Sequence, residues 1–158
     1  MKLLLPVEYQ QDLESLFLSV RESVLAACPD AQVEHIGSSA IPGAISKGDL
    51  DVCVLVAPAL HSHAVAALQA SGYVIKVDTL RTPELCMLES PSHDYDVALQ
   101  VVAAGSRFEF FMHFRDALCR DPELVKEYNA LKLQYCDRPP AEYRGAKAQF
   151  IASVLGLV

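Results

Sequence analysis

The chain has 158 residues, 52% of them hydrophobic and 21% charged, with 13 Lys and Arg set against 20 Asp and Glu for a formal net charge of −7. That balance, with a positive mean hydropathy of +0.23 and a pI near 5.1, excludes a disordered chain and argues against broad binding to nucleic acid or anionic membranes, which need a basic face. The length suits one domain spanning 1–158. No apolar run approaches the ~20 residues of a membrane span. Residues 1–6 lack the apolar length and the cleavage site of a signal peptide, which predicts a cytoplasmic protein.

In chain order, residues 8–27 set Leu13, Leu16, Phe17, Val20, Val24 and Ala27 at three-and-four spacing, an amphipathic helix that Pro29-Asp30 stops. A strand at 32–36 runs into the small-residue turn Gly37-Ser38-Ser39, with His35 just before it. Ile41-Pro42-Gly43 reads as a second turn. Ten residues separate Ser38 from Asp49, and Asp51 follows at the head of Val52-Cys53-Val54-Leu55-Val56. Residues two apart on a strand share a face, so Asp49 and Asp51 aim their carboxylates the same way. Such a pair repels itself unless a cation or basic group sits between. Mg²⁺, or Mn²⁺, is the hard cation suited to one or two carboxylates plus substrate phosphates. Gly37, Ser38 and Ser39 offer close backbone approach, amide N–H groups and hydroxyls to a phosphate. Lys47 either bridges to that phosphate or offsets the aspartates.

Pro58 opens a helix over about 59–70, ended by Ser71-Gly72. Strands are expected at 73–78 and 84–90. In a further strand from Asp94, residues Asp94, Asp96, Ala98 and Gln100 share one face. Beyond Gly105-Ser106 the pattern is helical: about 106–119, 121–136 and 141–155. Ser106 and Asp121 serve as N-caps, Pro122 as first helical residue, and Arg138-Pro139-Pro140 as a breaker. Arg115 sits on an apolar stripe, read either as an ion pair with Asp116 or as a planar phosphate contact. Lys132 and Lys147 also accompany apolar stripes and either snorkel to solvent or reach into a cleft. The five cysteines form no Cys-x-x-Cys pair and the five histidines show no zinc spacing, so reduced packing thiols are expected. Residues 61–158 hold ten Lys and Arg against three in 1–60, so most groups able to pair with phosphate lie in the second half.

Gly37-Ser38, ten residues, then Asp49-x-Asp51 resembles the signature of the nucleotidyltransferase superfamily that includes DNA polymerase beta. The string His35-Ile36-Gly37-Ser38-Ser39-Ala40-Ile41-Pro42-Gly43 is similar to the GrpB family. Phe114-Arg115-Asp116, Pro122-Glu123, Tyr128 with Leu131-Lys132, and Tyr143 with Lys147 and Phe150 match further downstream. Two positions depart from the family's pattern. Many members carry Lys-Pro-x-x-Asp where this chain has Lys47-Gly48-Asp49-Leu50-Asp51. Many also carry a His-x-His pair where this chain has Ala98 and Gln100.

The resemblance implies an α/β (α+β) nucleotidyltransferase-like fold: a mixed, mostly antiparallel sheet of about five strands with helices against it and a helical C-terminal segment. It also implies a third-carboxylate position beside the aspartate pair, expected to be taken by Asp96, with Asp94 or the neutral Gln100 as the alternative occupant. The function it implies is metal-dependent transfer from a nucleoside triphosphate. Asp49, Asp51 and Asp96 would be the metal and catalytic set, and Gly37, Ser38, Ser39, Lys47, Arg115, Lys132 and Lys147 the phosphate contacts. The partners are a nucleotide and an acceptor that is a small molecule or protein. The alternative is a non-catalytic nucleotide- or phosphometabolite-binding module of the same fold.

Overall fold

A computed structural model describes residues 1–91 and 93–157. Helix α1 (Pro6–Ala27) starts on Pro6, whose missing N–H is lost at no cost there, while the Glu8 carboxylate accepts from Leu5 N at 2.6 Å. The chain continues through β1 (Gln32–Ile36), a short 3-10 turn over Ser38–Ala40, β2 (Leu50–Val56), α2 (His61–Ala70), β3 (Val74–Ile75), β4 (Leu85–Ser90) and β5 (Val97–Ala103). Three helices follow: α3 (Phe110–Arg120), α4 (Pro122–Tyr135) and α5 (Pro140–Val154). Asp121 caps α4 by accepting from Glu123 N at 3.0 Å, as its place before Pro122 foretold.

The five strands form one mixed sheet in the order β1-β2-β5-β4-β3. Among the described residues only β2 and β5 run parallel; the other pairs are antiparallel. Alternation sorts the central strands into two faces. Leu50, Val52, Val54 and Val56 of β2 and Val97, Leu99 and Val101 of β5 pack with Leu13, Val20, Val24 and Leu68 of α1 and α2. On the opposite face Cys53 and Val102 join Ile36, Leu85, Phe108 and Met112. A third cluster ties the connector residues Ile41 and Ala44 to Phe114, Leu118, Val125 and Tyr128 of the C-terminal helices.

Two strands are shorter than the sequence suggests. β3 ends at Ile75; beyond it Asp78 takes a positive φ of 62° that is incompatible with extended backbone, and Val77 and Leu80 are exposed. β5 begins at Val97, so Asp94 and Asp96 precede it. Asp96 contributes a backbone carbonyl, accepting from Leu50 N at 2.8 Å, and its side chain is exposed. Among the described residues no helix is long and apolar enough to cross a membrane.

Candidate functional site

Register builds the site. Ile36, the last residue of β1, lies opposite Asp51 of β2, so the turn that follows it lands on that carboxylate. Gly37 has φ +74°, and a Cβ placed there would stand 2.6 Å from Asp51 Oδ2. Glycine is required twice over, by conformation and by space. Asp49, Asp51, Gly37 and Ser38 line a cleft of about 330 Å³ between this face of the sheet and helices α3–α5, joined there by Lys47, Lys132, Lys147, Tyr128, Tyr143 and Gln100.

Electrostatics in the cleft are strongly perturbed. Asp51 is pushed up to about 6, by burial first and then by the neighbouring Asp49 charge, with Lys147 and Lys47 pulling the other way. Lys47 Nζ lies 3.4 Å from Asp49 Oδ2, a half-exposed pair. Lys132 is only 3% exposed. Its ammonium donates to Ser38 Oγ and to the Ile45 carbonyl and sits 4.2 Å from the Tyr128 ring centre. Burial, helped by the Lys147 charge, holds it down to about 7. Burial also raises Tyr128 and Tyr143, whose hydroxyls interact with each other, Tyr128 reaching Ser38 as well.

The cleft therefore brings together Gly37, Ser38, Lys47, Asp49, Asp51, Lys132 and Lys147. Three other expected residues stand elsewhere. Ser39 is buried on the far side of the turn, its Oγ 2.8 Å from His35 Nε2. His35, stacked on Phe17, is held near 4 by burial and by Arg115. Arg115 turns away from the cleft to bind Glu34 at 3.2 Å, the His35 carbonyl at 2.9 Å and Asp116 at 2.8 Å, so its fork is spent joining α3 to β1. Asp96 is absent from the cleft lining, because β5 starts one residue later. Among the described residues no group of three His, Cys, Asp or Glu side chains is placed to hold a metal ion. Gln100, half-way along β5 and 4% exposed, faces the cleft from that strand instead.

Sequence reasoning did not point to Ser46, Met87 or Phe110 as cleft residues. Met87 is in the cleft because it pairs with Gln100 across β4 and β5. No spacing in the sequence carries that pairing.

A mixed sheet with a Gly-Ser turn packed on an Asp-x-Asp pair at a strand's head, backed by helices, defines a nucleotidyltransferase-like fold. Solved structures agree. The poly(U) polymerase Cid1 with bound MgGTP superposes with a TM-score of 0.56 at 17% identity, over 78% of this chain and 41% of that one. A cytoplasmic RNA terminal U-transferase gives 0.55 at 18%, over 79% of this chain and 39% of that one. The chain belongs to the GrpB family, whose model, described as GrpB protein, matches residues 6–156. A UPF0157 protein of Vibrio cholerae is 52% identical over 149 residues, 94% of this chain and 79% of that one. The crystal structure of GrpB from Enterococcus faecalis matches with a TM-score of 0.75 at 19% identity, covering 97% and 94% of the two chains.

Proposed function

We propose that the chain is a divalent-metal-dependent nucleotidyltransferase that moves a nucleotidyl group from a nucleoside triphosphate to a small-molecule or protein acceptor. One observation carries the reading: the Gly37 backbone lies so close to Asp51 Oδ2 that no side chain fits between them. A phosphate on the turn would therefore touch the carboxylate pair. The fold neighbours, a poly(U) polymerase and a terminal U-transferase, support the same chemistry.

The donor set fits a hard cation. Both aspartates face the cleft, Asp51 is raised by burial and the Asp49 charge, and Mg²⁺ is commonly held by one or two carboxylates with substrate phosphates completing its shell. Asp49 and Asp51 would hold Mg²⁺ or Mn²⁺, which when bound supplies positive charge to the triphosphate. The chain's own residues do the rest. Gly37 and Ser38 present the turn to the phosphate tail. Lys132, paired with Ser38, exchanges that hydroxyl for phosphate oxygen and recovers its full charge beside the anion. Lys147 and Lys47 offset the remaining charge. The acceptor's oxygen or nitrogen forms a bond to the α-phosphorus as the bond to the α,β-bridging oxygen breaks; pyrophosphate leaves with the electron pair and the acceptor's proton passes to solvent.

A second reading, a binding module that holds a nucleotide or phosphometabolite without chemistry, is favoured by the neutral Gln100 in the cleft where a third carboxylate was expected. Incubation with α-phosphorus-labelled nucleoside triphosphates, Mg²⁺ and pooled small-molecule and protein acceptors separates the two. Transfer predicts a labelled product that is lost in Asp49→Asn and Asp51→Asn. Mg²⁺-dependent nucleotide binding without any product selects the binding module, and absence of both refutes the assignment.

A further inference from the structure

We infer that the β4–β5 end of the cleft is an acceptor subsite, read by the Gln100 amide and shaped for a small aromatic or heteroaromatic alcohol or amine. This rests on the transfer reading above. Sheet order supplies the first argument. The Gly-Ser turn hangs from β1, the aspartates stand at the head of β2, Gln100 on β5, and Met87 opposite Gln100 on β4. The aspartates thus separate the phosphate turn from Gln100 and Met87. In an in-line displacement the entering and leaving oxygens lie on opposite sides of phosphorus. With the phosphate tail at Ser38 and Lys132, the entering group comes from the Gln100 side.

Gln100 itself supplies the second argument. It is 4% exposed and lines the cleft, yet among the described residues its Oε1 has no hydrogen-bond partner. A buried amide left in that state bears the full cost of its desolvation, which a ligand's donor group would remove. The third argument is the wall around it. Met87, its partner across β4 and β5, lines the same cleft with Phe110 and Phe111, whose rings stack at 4.3 Å. An apolar, aromatic and sulfur-bearing wall with one convergent amide binds flat apolar rings and orients them by a single polar edge. A cleft of about 330 Å³ shared with a phosphate tail leaves room only for a small acceptor.

Ligand-observed saturation-transfer NMR tests this directly. The probes are tyramine and 3-hydroxybenzamide, against sorbitol and glucosamine, each titrated with Mg²⁺ and α,β-methylene-ATP and again with neither. The expected result is binding of the aromatic probes to the native chain under both conditions. It should weaken about tenfold in Gln100→Leu, the loss of one neutral hydrogen bond, and again in Phe111→Ala, with melting curves confirming that both variants fold. The inference is overturned if no aromatic probe binds the native chain, if the polyols bind equally well, or if Gln100→Leu binds the aromatic probes undiminished. Failure of the nucleotide alone to bind overturns the transfer reading and leaves the aromatic result legible by itself.

Discussion

Asp51→Asn probes the centre of the cleft. Asp51 rises from 3.8 to about 6 in the folded protein, through burial and the Asp49 charge. The native state therefore holds this proton more tightly than the unfolded chain, so stability falls as pH climbs from about 4 to 6. Above that window the ionised carboxylate costs at most about 3 kcal/mol. Asparagine removes this cost. At pH 7.5 the variant should melt higher than the native chain, by up to about 6–12 °C at the sensitivity typical of a chain this long. At pH 4 the two should coincide. Mg²⁺ narrows the gap, since it binds only the carboxylate. At ten times its Kd the ion stabilises the native chain by about 1.4 kcal/mol, or about 3–6 °C. It should leave Asp51→Asn unmoved. Protons compete for the same oxygens, so lowering the pH from 7.5 to 5 should weaken Mg²⁺ about tenfold. Differential scanning calorimetry across pH, with and without Mg²⁺, reads every term. An equal variant-to-native gap at pH 4 and 7.5, or a Mg²⁺ shift that survives the substitution, refutes the reasoning.

Gly37→Ala, whose new methyl group would stand 2.6 Å from Asp51 Oδ2 at a φ of +74°, should lose about 2–3 kcal/mol in urea denaturation along with the Mg²⁺ response; native stability in this variant would show that the turn is not locked onto the aspartate. Arg115→Ala should lose about 2 kcal/mol, since it strips charge-assisted hydrogen bonds from Glu34, Asp116 and the His35 carbonyl. Isothermal titration calorimetry should find its Mg²⁺-nucleotide affinity unchanged; a large fall in affinity at unchanged stability would return Arg115 to the cleft.

What the sequence made legible was local. The 3.6-residue period of α1, the Asp121-Pro122 start of α4 and the strand Gln32–Ile36 all follow from side chains within one turn or one strand. The Gly37–Asp51 neighbourhood was legible too, because one antiparallel pair with a short connection brings both halves of the motif together. The misplaced expectations needed partners distant in the chain. Asp96 was set on a strand whose start depends on the parallel pairing of Leu50 with Val97. Arg115 was open to two readings because its partner Glu34 lies 81 residues away. Ser39 and Ser38 are adjacent and chemically alike, and only the 3-10 turn sends one hydroxyl to His35 and the other to Lys132.

The connector between the two halves of the motif has a consequence for motion. Ile41, Ala44, Ile45 and Ser46 are buried. Tyr9 and Gln10 of α1 donate to the carbonyls of Ala44 and Ile41. Asn129 of α4 accepts from Ile45 N and donates to the Gly43 carbonyl, while Leu4 and Ser46 form a β-bridge. A segment stitched from both sides in this way opens only when α1 or α4 lifts from it, so its amides should exchange with solvent as slowly as those of the central strands. The residues between turn and aspartates form a frame held to α1 on one side and to α4 on the other.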